Sequence, residues 1–167
     1  MTVTQLRSDL QGSRERLFAS IRGLTEEQFR FTTGDGAWPI ATHLAHLLRS
    51  ERMHVERIRV ALDEDEPVVA STHTTNDEEP GFAQKLAVPQ VIHGMLNARR
   101  DLDALLDRCG DAQLDRAIRH ERLGRVTVGD MFTKMTVHES EHGAEIAKLV
   151  RQVPASGRVI IPLTRRS

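Results

Sequence analysis

Hydrophobic residues recur at intervals of three and four along four long stretches of the chain, and polar or glycine-containing segments separate the stretches. The recurring positions are Val3, Leu6, Leu10, Leu17 and Ile21 in the first stretch, and Ile40, Leu44, Leu47, Val55, Ile58 and Leu62 in the second. This spacing keeps apolar side chains on one face of an α-helix. No segment before the last residues alternates convincingly as a β-strand would. The pattern therefore predicts four amphipathic helices.

Signals for helix ends agree with this interpretation. The second helix runs from about Pro39 to Leu62, and proline is well suited to a first helical turn. Pro89 opens the third helix, which Gly110 stops. Thr127 is a predicted N-cap for the fourth helix, with Asp130 three residues later reaching back, and this helix is expected to run until Pro154.

The second and third helices are joined by a long polar connection. It begins with the acidic run 63–66 and continues through Pro67, with a short helix expected around Phe82 to Leu86. Four helices of about 20 residues, one long connection and no sheet signal predict an all-α fold, a four-helix bundle with a long crossover between helices 2 and 3. We expect residues 1–153 to form this single domain and 154–167 to form a C-terminal tail.

Composition narrows the class of protein without changing this picture. The chain has 167 residues, 39% of them hydrophobic, and a formal net charge of -1, so no strong field attracts it to nucleic acid or acidic lipid. No apolar stretch approaches a membrane span, and the N-terminus lacks the apolar core of a signal peptide. The single cysteine, Cys109, allows no internal disulfide. We expect a cytoplasmic protein with no nucleic-acid or membrane partner.

The fourth helix carries the strongest chemical signal. His138 and His142 lie four residues apart inside its apolar stripe, together with Met131, Met135 and Leu149. Side chains at this spacing are neighbours on a helix, so both imidazoles can reach one metal ion. The alternative is that one or both are core histidines with ordinary hydrogen bonds. Two histidines at ligand spacing on one stripe favour the metal.

Residues 138–142 read HESEH and match the HExxH pattern of zinc metallopeptidases. In such an enzyme Glu139 would be the general base. A peptidase also needs a further metal ligand and a sheet edge that holds the peptide, yet no histidine follows His142 and no sheet is predicted. A metallopeptidase is therefore a distant third hypothesis.

A third histidine is suggested by the start of the second helix, WPIATHLAHL, where His46 follows Trp38 by eight residues and precedes Glu51 by five. This Trp-led helix, the long crossover and the final H-x-x-x-H helix together resemble the DinB/YfiT-like superfamily of four-helix-bundle metalloproteins. The resemblance spans most of the chain and implies a divalent metal, usually zinc or nickel. Carried over residue by residue, the ligands are His46, His138 and His142.

The helix-two ligand stays open between two residues. At 100° per residue His43 and His54 fall nearer the centre of the apolar stripe, and His46 falls at its edge. Periodicity thus favours His43, and the spacing from Trp38 favours His46; we take His46, with His43 as the alternative. Glu51 lies near mid-stripe, where it either orients a ligand histidine or forms a helix–helix salt bridge with an arginine.

Other conspicuous residues receive plainer interpretations. Trp38 is expected to pack at one end of the bundle, and Cys109 to be a small core residue because no adjacent base is visible. His73, His93 and His120 lack partners at ligand spacing and are assigned no role.

Three neutral imidazoles leave a divalent ion with an open position, which is typical of a catalytic site. Bound water or a bound thiol could be activated there. The resemblance implies a homodimeric S-transferase that uses a low-molecular-weight thiol, such as bacillithiol or mycothiol, on small electrophilic substrates, with hydrolysis as the other reaction. A non-catalytic metal-binding bundle, for sensing or storage, is the alternative. Glu51 and Glu139 are the candidates for acid–base or ligand-orienting roles.

Overall fold

The computed structural model describes residues 1–34, 36–70, 81, 83 and 85–154. Within them lie four long helices and one short one, α1 (Val3–Ile21), α2 (Glu26–Phe29), α3 (Ile40–Asp63), α4 (Val88–Asp107) and α5 (Val128–Val150). A turn of 3-10 helix follows α4 at Asp111–Asp115. The strands are β1 (Val68–Val69), β2 (Ala117–His120) and β3 (Gly124–Thr127).

The helices begin where the capping residues predict. Thr127 accepts a hydrogen bond from the Asp130 backbone N–H, and the Asp130 side chain accepts one from the Thr127 N–H, so the predicted N-cap of α5 is confirmed. Pro39 stands at the N-cap of α3. At its other end α5 stops at Val150, four residues before Pro154.

The four long helices form the predicted bundle. α1 packs against α5, and α3 packs against both α4 and α5. The long connection between α3 and α4 is present as well, although its residues 71–80 lie outside the described part of the chain, as do Phe82 of the expected short helix and residues 155–167 of the expected tail. Within the part of the chain that the structure describes, no helix has the length and apolar character needed to cross a bilayer.

A small three-stranded sheet, which the sequence does not predict, is added to the mostly helical fold. β2 pairs antiparallel with β3, and β1, from the long connection, pairs parallel with β2. The Glu66 carboxylate accepts hydrogen bonds from Arg119 on β2 and Arg125 on β3, which ties the connection to the hairpin. Strands of two to four residues are too short to show a period of two, so the alternation in the sequence did not reveal them. The sheet places His120 of β2 beside residues of α3 and α5.

The apolar core has two halves. One is built around the residues Leu6, Leu10, Val55, Ile58, Leu102, Leu106, Ile118, Phe132 and Met135. The other contains Leu17, Ile40, Leu44, Leu47, Val91, Met95, Ile146 and Leu149. In the sequence of each long helix, buried polar residues separate the two sets.

These polar residues include a buried ionic network to which each long helix contributes one charged side chain. The Arg14 guanidinium donates to Glu51 at 2.7 Å and to Glu139 at 2.5 Å. Arg99 donates to the same carboxylates at 2.7 and 3.0 Å. Ser13 donates to Glu139, and the backbone oxygens of Leu10 and Met95 accept from the arginines. Because each charge faces two opposite charges, the network satisfies the requirement that buried ions be paired.

Candidate metal centre

Three imidazole rings converge between α3 and α5. The Nε2 atom of His138 lies 3.0 Å from Nε2 of His46 and 3.1 Å from Nε2 of His142. Their ligand atoms all lie within 4.8 Å of one another. Imidazole nitrogens bound tetrahedrally to a divalent ion at about 2.0–2.1 Å are separated by about 3.3 Å. The three side chains therefore stand at distances that suit one shared ion.

The hydrogen-bonding capacity of these rings also fits a cation. Each imidazole Nε2 has one in-plane position, which holds either a proton or a lone pair. His138 Nε2 faces two other ring nitrogens at hydrogen-bonding distance. Its single proton or lone pair cannot form a well-aligned hydrogen bond with both of them. Burial, and after it the neighbouring histidines, lower the pKa of His138 to about 4 and that of His142 to about 3. At neutral pH both are therefore uncharged, as metal ligands must be.

The opposite edges of two of these rings have partners of their own. Nδ1 of His142 lies 2.8 Å from Nδ1 of His43, and Nδ1 of His138 lies 3.4 Å from the Ser50 hydroxyl. If His142 donates its Nδ1 proton to His43, the lone pair remains on Nε2, on the side of the cluster. His43 thus occupies the position of an orienting partner, and His46 the position within the cluster.

Trp38 covers the cluster and does more than pack at a bundle end. Its ring is stacked on His142 with centroids 6.1 Å apart and an angle of 9° between the planes. Its centroid is also 5.2 Å from that of His46 and 5.4 Å from that of His43. An indole in this position restricts the orientation of all three imidazoles and limits access of water to them.

Glu51 and Glu139 both belong to the buried ionic network. Of the two interpretations of Glu51, its contacts match the helix–helix salt bridge. Burial alone would raise the pKa of Glu139, but Arg14, Arg99 and the Ser13 hydroxyl hold it below its usual range. A carboxylate that accepts from three donors is a poor general base, so the geometry does not favour the peptidase hypothesis.

Two cavities adjoin the cluster. The Trp38 cavity, of about 450 Å³, is lined by Thr33, Trp38, His43, His142, Glu145 and Lys148, among others. The Lys134 cavity, of about 280 Å³, is lined by His46, His54, Arg57, His120, Lys134 and His138, among others. Since each cavity shares at least one member of the cluster, small molecules can approach it from both.

Several residues around the cluster were not found from the sequence. No sequence motif marks Ser50, Arg57 or Lys134. The only signal in the sequence is their spacing of about one helical turn, or a multiple of it, from the cluster histidines, which places them on the same helix faces. His120 has no partner at ligand spacing in the sequence, and the strand that carries it to the Lys134 cavity is not predicted by the sequence pattern. His93 is exposed on α4, in keeping with the lack of a role, and His73 lies outside the described residues. Cys109 is buried, and burial raises the pKa of its thiol, which agrees with a core residue.

The buried histidines predict a pH dependence of stability for the metal-free protein. The pKa of His43 and of His54 is lowered by burial to about 4, as it is for His138, whereas an unfolded chain has a histidine pKa of about 6.5. Between these values the unfolded chain binds more protons, so the free energy of unfolding falls as pH decreases from 6.5 towards 4. Urea unfolding at several pH values, with chelator present, measures this.

Two variants isolate the histidine contribution from that of the carboxylates. His54→Asn should make the decrease between pH 6.5 and 5 shallower, and His93→Asn, at an exposed position, should leave it unchanged. Stability that stays constant across this interval in the metal-free wild type would show that the histidines are not buried in neutral form.

Comparisons with known proteins give a family match and two structural neighbours that are four-helix bundles. Residues 9–146 match the sequence profile of the DinB superfamily. A protein of Oceanobacillus iheyensis named "Putative metal-dependent hydrolase" is 26% identical over 134 residues, which cover 78% of this chain and 75% of that protein. Among solved structures, YfiT from Bacillus subtilis, described as a probable metal-dependent hydrolase with an unusual four-helix bundle topology, superposes with a TM-score of 0.77. It is 18% identical, and the match covers 90% of this chain and 86% of YfiT. TT2238, a four-helix bundle protein, gives 0.66 at 17% identity, over 88% of this chain and 99% of that one.

Proposed function

The chain belongs to the DinB superfamily, and from that premise we propose that it is a divalent-metal-dependent enzyme whose metal is held by His46, His138 and His142. The observation that carries the proposal is the convergence of three Nε2 atoms, from two rigid helices, on one point. The descriptions of the Oceanobacillus iheyensis relative, "Putative metal-dependent hydrolase", and of YfiT, "a probable metal-dependent hydrolase", support metal-dependent chemistry.

The protein ligand set supports a site for catalysis. Among the described residues, the group that could hold a metal has three members, and the two buried glutamates nearby are engaged by arginines. Three protein ligands with an open position are typical of catalytic zinc sites, whereas structural sites have four. Held there, a divalent ion supplies Lewis acidity that lowers the pKa of a water or thiol beside it.

The surrounding side chains have defined tasks in this proposal. His43 and Ser50 hold the rings of His142 and His138 in orientation through their Nδ1 atoms. Trp38 shields the cluster from solvent on the side of the larger cavity. The half-buried cluster histidines keep one edge accessible from the cavities.

For the reaction, we propose transfer of a low-molecular-weight thiol to a small electrophile, with hydrolysis as the second candidate. The two cavities favour transfer, because a reaction between two organic substrates needs room for both, while hydrolysis needs room for one substrate and a water. In the transfer, the thiol loses its proton to solvent, its sulfur forms a bond to the electrophilic carbon, and the leaving group departs with the electron pair of the broken bond.

The test compares the two reactions on the same zinc- or nickel-loaded protein. 1-Chloro-2,4-dinitrobenzene with a panel of small thiols reports transfer, and p-nitrophenyl acetate without thiol reports hydrolysis. We expect a thiol-dependent rate that saturates in both substrates and falls to the uncatalysed rate in His138→Ala. Cys109→Ala is the control, because a core thiol should not contribute.

The outcomes separate the hypotheses. Thiol-independent ester cleavage that needs His138 would replace transfer by hydrolysis. A protein that binds one metal ion but accelerates neither reaction, across a broad set of electrophiles and esters, would contradict the enzyme and favour the non-catalytic metal-binding bundle.

A further inference from the structure

We propose that the Lys134 cavity binds the oxyanion end of a small substrate, a carboxylate or phosphate group, while the reacting part of that substrate lies at the histidine cluster. The second half of this statement rests on the proposed function. The first half rests on the charges, hydrogen bonds and dimensions of the cavity itself.

The charge of the cavity is of one sign. Arg57 on α3 and Lys134 on α5 line it from two different helices, and none of its lining residues is acidic. The whole chain has a formal net charge of -1, so this positive region is a local feature and does not follow from a basic composition. Met53, Leu123 and Met131 supply apolar walls, next to which an ion pair is less screened than in open water.

His120 adds a neutral donor from the β2–β3 hairpin. Its Nδ1 accepts hydrogen bonds from the backbone N–H groups of Arg122 and Leu123, so in the neutral ring the proton resides on Nε2. Burial lowers the pKa of His120, which keeps the ring neutral at physiological pH. A buried N–H donor beside two cations suits an oxyanion, whereas it offers nothing specific to a cationic ligand.

Arg57 is held in place before any ligand arrives. One of its terminal nitrogens donates to the backbone oxygen of Ala70, 2.6 Å away, at the end of β1. The small sheet therefore fixes one cation and delivers the histidine donor to the same cavity. A preformed set of donors loses less conformational freedom on binding, which raises affinity for a small anion.

The dimensions restrict the ligand. Lys134 precedes His138 by one helical turn, about 6 Å, and Arg57 lies eleven residues beyond His46, about 16 Å along the helix axis. An oxyanion between these side chains lies about one to three helical turns from the level of the cluster. A volume of about 280 Å³ is at the small end of ligand sites, so the substrate class is a short-chain carboxylate or phosphate ester.

The test measures binding by chemical shift changes in ¹H–¹⁵N spectra of the full chain, zinc-loaded and again with chelator. The probes are butyrate, its neutral amide butyramide, and propyl phosphate. We expect at least one anion to bind near His120 and Lys134 in both conditions, and butyramide to bind at least about tenfold more weakly, since hydrogen bonds to charged groups contribute about 1.5–3 kcal/mol. Comparing butyrate with propyl phosphate then identifies the preferred oxyanion.

Matched charge removals locate the effect. Lys134→Gln and Arg57→Gln should each weaken anion binding about tenfold or more. Lys85→Gln removes the same charge at an exposed position that lines neither cavity, and Arg59→Gln removes a surface cation two residues from Arg57; neither should change anion binding. Equal binding of butyrate and butyramide, or equal losses in Lys134→Gln and Lys85→Gln, would overturn the proposal.

This result is independent of the proposed function. If the wild type binds no metal but selects the anion through Lys134, the oxyanion site stands and the metal-dependent function fails. If the protein binds metal and catalyses a reaction but does not distinguish butyrate from butyramide, only the oxyanion site is wrong.

Discussion

Alanine in place of His46, His138 or His142 is expected to abolish stoichiometric metal binding, and His43→Ala is expected to weaken it without abolishing it. Each of the first three variants removes one of the converging Nε2 atoms. His43→Ala removes only the partner of the His142 Nδ1 atom, and loss of such a partner typically lowers metal affinity by roughly 10–100-fold. Wild-type protein should bind one equivalent of zinc or nickel.

The measurement is a competition titration against a chromogenic chelator, supported by metal analysis of protein purified without an affinity tag. His93→Ala, at an exposed position on α4, is the matched control and should behave as wild type. The reverse order, in which His43→Ala loses the metal and His46→Ala keeps it, would make His43 the ligand. Unchanged metal content in all variants would mean that the cluster is a set of core histidines.

The second large effect concerns stability. Glu51→Gln should lower the free energy of unfolding by about 3–5 kcal/mol, because it leaves two buried guanidinium groups without one of their carboxylates. Glu51 is 0% exposed and accepts hydrogen bonds from both Arg14 and Arg99. Single domains are stable by only about 5–15 kcal/mol, so the change is a large share of the total. Urea unfolding of the metal-free protein measures it.

An exposed ion pair provides the comparison. Glu26 and Arg30 form a salt bridge on α2 with side chains that are 51% and 44% exposed, and Glu26→Gln should cost less than about 1 kcal/mol. If the two variants are equally stable, the buried network contributes little beyond surface pairing. The free energy of unfolding of Glu139→Gln provides a second measurement on the other carboxylate of the network. At this position the Ser13 hydroxyl is still present to donate a hydrogen bond.

The helices could be predicted from sequence because their information is local. Periodicity, the prolines at the starts of α3 and α4, and the Thr127–Asp130 capping pair all act within a few residues. The small sheet could not be predicted, because β1 and β2 are separated by nearly fifty residues and the strands are too short to show alternation. Its consequence for the site, the placement of His120, was lost with it.

The histidine site shows a different limit. Helix periodicity placed His43 nearer the centre of the apolar stripe than His46, and His43 is indeed the more buried of the two. The periodicity of a helix reports burial in the core, whereas the proposed metal site needs an accessible ligand, and His46 at the edge of the stripe is half-buried. The spacing from Trp38 carried that information, and the ring contacts of Trp38 with both residues give it a physical basis.

Glu51 illustrates why salt-bridge partners on different helices could not be predicted from the sequence. Its mid-stripe position required a charged or metal partner, but the sequence did not say which arginine, and the partners are 37 and 48 residues away. The thiol cosubstrate, the identity of the metal and the formation of a homodimer are predictions that rest on the family resemblance and on the proposed function.

The buried ionic network also fixes the axial register of the helices in the bundle. Sliding α3 or α5 along its axis by one turn, about 5.4 Å, would place a glutamate among the leucines of one core half and take one of the two carboxylates away from both Arg14 and Arg99. Glu51 is five residues from His46, and Glu139 directly follows His138. The salt bridges that fix the axial positions of α3 and α5 therefore also fix the level at which the histidines of these helices meet. A layer that contains none of the three histidines thus sets the alignment on which the proposed metal centre depends.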